Sequence, residues 1–142
     1  MKHPILITGG AGYIGSHVIL ALLDAGRSVV VIDDLSTGAI DLVPKEVPFI
    51  KGNIGNISLV RKTLRAHGCQ SVMHFAGSIV NQESFDFPLA YYANNTSASR
   101  NLIEACIEEE VKHFVFSSSA SVYGDPNNFP ISENASTAPI SP

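Results

Sequence analysis

Short apolar runs alternate along the chain with segments whose apolar residues recur every three or four positions. The runs, which suit buried parallel strands, cover 4–7, 27–32, 48–51, 71–75 and 113–117. The recurring patterns, which suit amphipathic helices, cover 16–24, 58–67 and 89–110. Such alternation predicts an α/β fold with a doubly wound parallel sheet. We expect only a short helix within 35–48 and a loop or helix start at 83–88.

A glycine-rich segment, TGGAGYIG at 8–15, joins the first strand to the first helix. Gly9 permits a tight turn, Gly12 allows a phosphate to approach the backbone, and Gly15 allows close packing of helix and strand. The helix N-terminus would then supply free N–H groups to a dinucleotide pyrophosphate. The spacing Gly-x-x-Gly-x-x-Gly has one residue more than the Gly-x-Gly-x-x-Gly fingerprint. The alternative interpretation is an ordinary βα turn.

Acidic and amide side chains follow the next two strands. Asp33 ends the second strand about twenty positions beyond the glycine turn, where a carboxylate accepts hydrogen bonds from the adenosine ribose. Its charge would repel a 2′-phosphate, so the sequence favours NAD over NADP. The alternative role of Asp33 is a helix or turn cap. Asn53 and Ile54 follow the third strand and are candidates for the adenine pocket, although 53–58 is also consistent with a helix-capping turn.

Small and polar residues follow the fourth and fifth strands. The small residues at 76–78 would let a cofactor lie against the backbone, and Asn94 is a candidate donor from the long helix. The fifth strand leads into a hydroxyl cluster, SSSAS at 117–121, at the sheet edge where such folds place their chemistry. His74 lies in an apolar run, so we expect a packed, hydrogen-bonded histidine.

Composition excludes several classes of function. The chain has 142 residues, 45% of them hydrophobic and 15% charged, with a net charge of −4. This predicts one globular domain without a basic surface for nucleic acid. No segment reaches the roughly 18 apolar residues of a membrane span and no leader is recognised, so we expect a cytoplasmic protein. Cys69 and Cys106 have no metal-binding spacing and are expected to be buried apolar residues.

Four motifs in order make the chain resemble the UDP-glucose 4-epimerases of the extended short-chain dehydrogenase/reductase family. They are TGGAGYIG at 8–15, DDLSTG at 33–38, HFAG at 74–77 and FSSSASVYG at 116–124. The resemblance runs from the first strand to the last residue. It implies a Rossmann-type domain that binds NAD, and UDP-glucose and UDP-galactose as substrates of transient C4 oxidation in galactose metabolism.

Site residues carry over by position. The candidate NAD contacts are Gly9, Gly12, Tyr13, Ile14, Gly15, Asp33, Asp34, Leu35, Ser36, Thr37, Gly38, Asn53, Ile54, Phe75, Ala76, Gly77, Ser78, Ile79, Asn94 and Ser117. Ser119 matches the family's catalytic-site serine, which binds the sugar hydroxyl and takes part in proton transfer. Glu83 and Ser84 fall where the family lines its substrate cleft. No metal is expected.

The chain departs from the family pattern at three places. Asn53 stands where an aspartate is usual, and Ile79 stands where some members have lysine. The Tyr-x-x-x-Lys pair is absent, since Lys112 is the last lysine. Without that acid–base pair the oxidation has no proton acceptor. The resemblance therefore implies the N-terminal portion of an epimerase, inactive alone and at most a weak binder of dinucleotide, whose complete form is a homodimer.

We therefore predict an incomplete dinucleotide-binding domain over 1–124, with sheet order 3-2-1-4-5 and NAD bound across the switch point between the first and fourth strands. Residues 125–142 are predicted to be a proline-rich loop. One alternative is another nucleotide-sugar enzyme of the extended family, a dehydratase or a decarboxylase. The other is a non-catalytic NAD-sensing module.

Overall fold

A computed structural model describes residues 3–127 and 129–142 and contains a five-stranded parallel sheet. The strands are β1 (Ile5–Thr8), β2 (Val29–Asp33), β3 (Phe49–Lys51), β4 (Ser71–His74) and β5 (His113–Phe116). Their order is β3-β2-β1-β4-β5, which confirms the predicted topology. β1 is central, with Ile5 paired to Val29 on one side and to Ser71 on the other.

Five α-helices connect or flank the strands: α1 (Tyr13–Asp24), α2 (Ile57–His67), α3 (Asn81–Asp86), α4 (Pro88–Tyr91) and α5 (Ala98–Glu108). Single 3-10 turns occupy Ile40–Leu42 and Ala120–Tyr123. The prediction of one uninterrupted α-helix over 89–110 was wrong, because Tyr92–Ser97 is π-helical. Helix α2 is bounded by Asn56, whose side chain accepts a hydrogen bond from the Leu59 N–H, and by Gly68 in the left-handed conformation.

Alternate residues of the strands feed two apolar layers, one on each face of the sheet. On one face Leu6 and the next strand's Val30 pack with Val60 of α2 and Leu102 of α5. The other face is covered by α1 and by the segment after β2, in a cluster of Ile5, Ile7, Ala11, Ile19, Val29, Val31, Val43 and Val47. The sheet therefore has the doubly covered interior that parallel strands require.

Cys69 and Cys106 lie buried in the cluster beneath α2 and α5, as predicted. Burial raises the pKa of each thiol to about 11. Across the surface of the same layer, Glu109 at the end of α5 forms ion pairs with Arg61 and Arg65 of α2. These pairs join the two helices at the end remote from the carboxyl edge of the sheet.

The fifth strand is less covered than the others. All four of its residues are exposed, and Phe116 retains 61% of its surface accessibility. After it, the segment that follows Gly124 returns along the molecule, and the Ala138 N–H donates to the Val122 carbonyl at 2.8 Å. None of the helices that the structure describes is both long enough and apolar enough to cross a bilayer.

Candidate functional site

A cleft of about 510 Å³ opens at the carboxyl edge of the sheet, where β1 and β4 diverge. Its lining is Gly9, Gly12, Tyr13, Ile14, Gly15, Ile32, Asp33, Asp34, Ser36, Thr37, Gly38, Gly52, Asn53, Ile54, Phe75, Ala76, Gly77, Ser78, Ile79, Val80, Glu83 and Asn94. The ends of four strands thus contribute to one cavity. Every candidate NAD contact except Leu35 and Ser117 lines it.

The glycine turn has the geometry that its three roles require. Gly9 has φ +69°, and a Cβ there would stand 2.6 Å from the Ala76 nitrogen. A Cβ on Gly15 would collide with the Gly9 carbonyl oxygen, so this glycine lets α1 pack against the turn. The nearest atom to a Cβ on Gly12 is the Gly9 oxygen at 3.3 Å, which leaves its outer side open. As at the start of any α-helix, the first N–H groups of α1 lack acceptors within the helix.

Asp33 connects the glycine turn to the loop after β2. One carboxylate oxygen accepts from the Ala11 N–H at 2.9 Å and the other from the Leu35 N–H at 2.8 Å. The side chain is therefore the turn cap that the sequence allowed as an alternative, and it also lines the cleft. Leu35 has φ +61° and packs against the α1 layer, which explains why it does not line the cavity.

Asp34 and Asn53 form a second polar pair across the same wall. The Asn53 amide donates to the Asp34 carboxylate at 2.9 Å, and its carbonyl accepts from the Gly55 N–H at 2.8 Å. Partial burial acts to raise the pKa of Asp34, but hydrogen bonds from Ser36 and Asn53 outweigh burial and lower it. Asn53 thus fixes an anionic Asp34 at the predicted ribose end, a role that the adenine hypothesis did not anticipate.

The loop after β4 is held by the π-helical segment. Asn94 donates to the Ser78 hydroxyl at 2.9 Å. Asn95 accepts from the Ser78 N–H at 2.7 Å and donates to the Ser78 carbonyl at 2.9 Å. Sequence reasoning selected Asn94 but missed Asn95; the adjacent pair of amides within an apolar helical pattern was the available signal.

Further along this wall, the buried Tyr91 hydroxyl donates to the Glu83 carboxylate at 2.7 Å and contacts the Val80 carbonyl at 2.9 Å. Burial and this carboxylate raise the pKa of Tyr91. Val80, Ile32 and Gly52 line the cleft but were not predicted. They carry no distinctive chemistry, so position alone places them there.

His74 is packed and hydrogen-bonded, as predicted. It is 1% exposed, its Nδ1 lies 2.7 Å from the Thr8 hydroxyl, and its Nε2 lies 2.8 Å from the Ser99 hydroxyl. Burial lowers the pKa of His74 to about 4, so the ring is neutral at pH 7. It joins the start of the glycine turn to α5 and does not line the cleft.

The hydroxyl cluster lies outside the cleft lining. Ser117 donates its N–H to the His74 carbonyl at 3.1 Å. Ser119 is exposed and caps the following 3-10 turn, where its hydroxyl accepts from the Ser121 N–H and donates to the Ser121 hydroxyl, both at 3.1 Å. The predicted catalytic serine, Ser119, therefore does not line the cleft. Among residues 3–127 and 129–142, no group of three or more His, Cys, Asp or Glu side chains is placed to hold a metal.

A parallel sheet of this order, with a glycine turn at its switch point and carboxylates after β2, defines a Rossmann-type dinucleotide-binding fold. The model of the NAD dependent epimerase/dehydratase family matches residues 5–142, and the chain belongs to this family. The family is thus NAD dependent, in agreement with the cofactor predicted from Asp33.

Individual relatives narrow the comparison. A UDP-glucose 4-epimerase of Azospirillum brasilense is 52% identical over 138 residues, which are 97% of this chain and 40% of that protein. The Brucella ovis UDP-glucose 4-epimerase in complex with NAD superposes with a TM-score of 0.93 at 36% identity, over 99% of this chain and 43% of that one. The Thermotoga maritima UDP-glucose 4-epimerase with UDP-glucose superposes with a TM-score of 0.91 at 34% identity, over 97% of this chain and 45% of that one. The chain therefore spans less than half the length of these relatives, as expected for a portion of an epimerase.

Proposed function

We propose that this chain is the NAD-binding part of a UDP-glucose 4-epimerase. The observation that carries the proposal is the cleft at the β1/β4 switch point, which joins a glycine turn, the N-terminus of α1 and two carboxylates in one cavity. Relatives with this name, and neighbouring structures with NAD and with UDP-glucose, support the same function.

The residues present fit a dinucleotide. The open side of Gly12 and the N-terminal N–H groups of α1 would receive the pyrophosphate. Asp33 and Asp34 would accept hydrogen bonds from the adenosine ribose and exclude a 2′-phosphate by repulsion. The wall formed by 75–80 would hold the nicotinamide half. When bound there, NAD would supply a reversible acceptor for the hydride of the sugar C4.

For the whole enzyme we propose interconversion of UDP-glucose and UDP-galactose by transient oxidation at C4, within galactose metabolism. Ser119 would hold the sugar hydroxyl, and Glu83 and Ser84 would face the sugar side. The present sequence contains no Tyr-x-x-x-Lys pair. We therefore expect the 142-residue chain alone to bind cofactor only weakly and to convert no UDP-sugar.

We propose the cytoplasm as the compartment and a homodimer as the working assembly. The buried, reduced cysteines are compatible with a reducing compartment. Exposed apolar side chains on the α4–α5 surface, including Leu89 at 82% and Ile107 at 72%, are consistent with a covered face in the assembled protein.

Calorimetric titration of the chain with NAD and NADP tests the cofactor proposal. We expect NAD to bind at least about tenfold more tightly than NADP. Both would occupy the same cavity, but only NADP places a ribose 2′-phosphate beside Asp33. Asp33→Asn should narrow that ratio, whereas Asp24→Asn, on α1 and outside the cleft lining, should leave it unchanged. Binding of neither nucleotide, or conversion of UDP-galactose by this chain, would contradict the proposal.

A further inference from the structure

A chain of amide contacts joins helix α5 and the loop after β3 to the carboxylate of Asp34. Asn53 Nδ2 donates to the Asp34 carboxylate at 2.9 Å, and Asn53 Oδ1 accepts from the Gly55 N–H at 2.8 Å. On the other side of this glycine, Asn101 Nδ2 of α5 donates to the Gly55 carbonyl at 2.9 Å. We call these contacts, from Asn101 through Gly55 and Asn53 to Asp34, the amide bridge.

The partners of Asn53 determine which way its amide points. A main-chain N–H only donates, so the amide oxygen must face Gly55, and an ionised carboxylate only accepts, so the amide nitrogen must face Asp34. An aspartate at position 53 would still accept from the Gly55 N–H, but it would set a second carboxylate against Asp34. The amide at this position, where the family pattern has an aspartate, is therefore matched to the charge of Asp34.

Gly55 lies tightly between the Asn53 side chain and α5. A Cβ on Gly55 would stand 3.0 Å from Asn53 Oδ1 and 3.3 Å from the Ala98 Cβ. Asn101 is three residues beyond Ala98 on the same helix, so two positions one turn apart on α5 hold this glycine. The loop after β3 is therefore placed by α5 as well as by the strand that it follows.

The two carboxylates after β2 are held in different ways. Asp33 is 9% exposed, and its two oxygens accept from the main-chain N–H groups of Ala11 and Leu35. Asp34 is partly exposed, and one of its oxygens accepts from Asn53, a side chain on another loop. Asp34 is therefore the carboxylate more open to a ligand in the cleft, and its direction depends on the loop after β3.

We propose that Asn53 and Asn101 are positioning residues that hold Asp34 against the adenosine ribose and thereby strengthen the preference for an unphosphorylated 2′-hydroxyl. The inference rests on the proposed NAD-binding function and adds to it a dependence of cofactor choice on α5. Repulsion of a 2′-phosphate requires that the Asp34 carboxylate stay directed at the ribose. Because Asn101 does not line the cleft, its effect reaches the ligand through the amide bridge.

Titration of Asn53→Ala and Asn101→Ala with NAD and NADP tests the inference. We expect the ratio of the NAD affinity to the NADP affinity to fall at least about threefold in each variant, because a released Asp34 side chain can turn away from a 2′-phosphate. General destabilisation would weaken both nucleotides alike and leave the ratio unchanged. Asn134→Ala is the matched control, since this exposed asparagine does not line the cleft and should leave the ratio as it is.

Exchange of the two side chains tests whether Asn53 and Asp34 act as a pair. Asn53→Asp alone sets two carboxylates against each other and should weaken NAD binding at least about fivefold. Asn53→Asp combined with Asp34→Asn restores one donor and one acceptor across the same contact, so most of that loss should be recovered. The ratio of NAD to NADP affinity should stay below that of the unsubstituted chain, because the charge has moved from position 34 to position 53.

An unchanged affinity ratio in either alanine variant would overturn the inference. A double exchange that binds NAD no better than Asn53→Asp would overturn it as well, because the contact would then not act as a pair. If Asn53→Ala does not fold, Asn53→Ser serves the same test: its hydroxyl can accept from the Gly55 N–H but is too short to reach Asp34. Failure of the unsubstituted chain to bind NAD would remove the proposed function together with the inference, an outcome that its own titration identifies.

Discussion

His74 illustrates how one residue can serve the fold beside a binding site without entering it. The ring is enclosed by Phe114 and Phe116, with centroids at 6.1 and 5.5 Å, and its two nitrogens contact hydroxyls. These neighbours are neutral and offer no carboxylate to a protonated ring. Burial therefore lowers the pKa of His74 to about 4, and the neutral ring bonds β1 to α5.

The low pKa of His74 predicts a loss of stability in mild acid. Between about pH 6.5, the ordinary pKa, and about pH 4, the unfolded chain binds a proton at this position and the folded chain does not. The free energy of unfolding should therefore fall as the pH is lowered through this window, by on the order of 3 kcal/mol from this group. Above pH 6.5 the group contributes no pH dependence. Urea unfolding at a series of pH values measures the effect.

His74→Gln should be less stable at pH 7, since it disturbs the bonds to Thr8 and Ser99, but should lack that part of the acid dependence. His113→Gln, at an exposed position of β5, is the control and should retain it. An unchanged slope in His74→Gln would show that other groups produce the acid dependence.

The sequence predicts site residues that are needed for a special backbone conformation or for a carboxylate at a strand end. It does not predict site residues whose role depends on the direction in which the side chain points. Gly9 and Asp33 each carry a local requirement, a positive φ or a carboxylate at a strand end, so their places in the cleft follow from the motif. Leu35 belongs to the same motif, yet its side chain packs into the α1 layer. Asn95 was missed because the contact to Ser78 depends on tertiary packing.

Among the elements, strands were predicted more closely than the long helix. Each apolar run is short, so its limits differ from the observed strand by only a few residues. The helical pattern over 89–110 gave the buried position of Leu102 correctly, but it also included Ile107, which is 72% exposed. It could not reveal that Tyr92–Ser97 is π-helical, because apolar periodicity averages over several turns.

Substitutions on the buried and exposed faces of α5 should have different effects on the free energy of unfolding. Leu102 is fully buried between α2 and the sheet, so Leu102→Ala should lower the free energy of unfolding by about 2–5 kcal/mol through lost burial and a residual cavity. Ile107 on the same helix is 72% exposed in the single chain, and Ile107→Ala should change the free energy of unfolding by no more than about 0.5 kcal/mol at a protein concentration at which the chain is monomeric. Urea unfolding of both variants measures the difference. Equal effects would show that α5 does not pack as described.

At the scale of the whole molecule, the sheet order could be predicted because parallel strands, right-handed connections and a glycine turn permit few arrangements. The sequence did not predict how much of the sheet and of the helices remains exposed. β5 is exposed along its length, and Leu89 and Ile107 project from the helices. The molecule therefore presents two exposed apolar surfaces, the β5 edge of the sheet and one face of the helices.

The helix face predicts a closed dimer. Ile103 and Ile107 are four residues apart on α5 and so share one face, where they are 45% and 72% exposed. A face that pairs with its own copy about a two-fold axis closes at two subunits. Sedimentation velocity should therefore detect a dimer of the chain, and the double substitution Ile103→Glu with Ile107→Glu should make it monomeric, because dimerisation would then bury four unpaired carboxylates.

A substitution on the sheet edge serves as the matched control for the substitutions on α5. Val115 lies on β5 and is 50% exposed, similar to Ile103, so Val115→Lys adds a charge to the edge strand and leaves α5 unchanged. If the helix face mediates assembly, this variant should remain dimeric. If Val115→Lys dissociates the chain while the double glutamate variant still associates, the contact is strand to strand. The α5 face would then not be the surface that joins two copies of this chain.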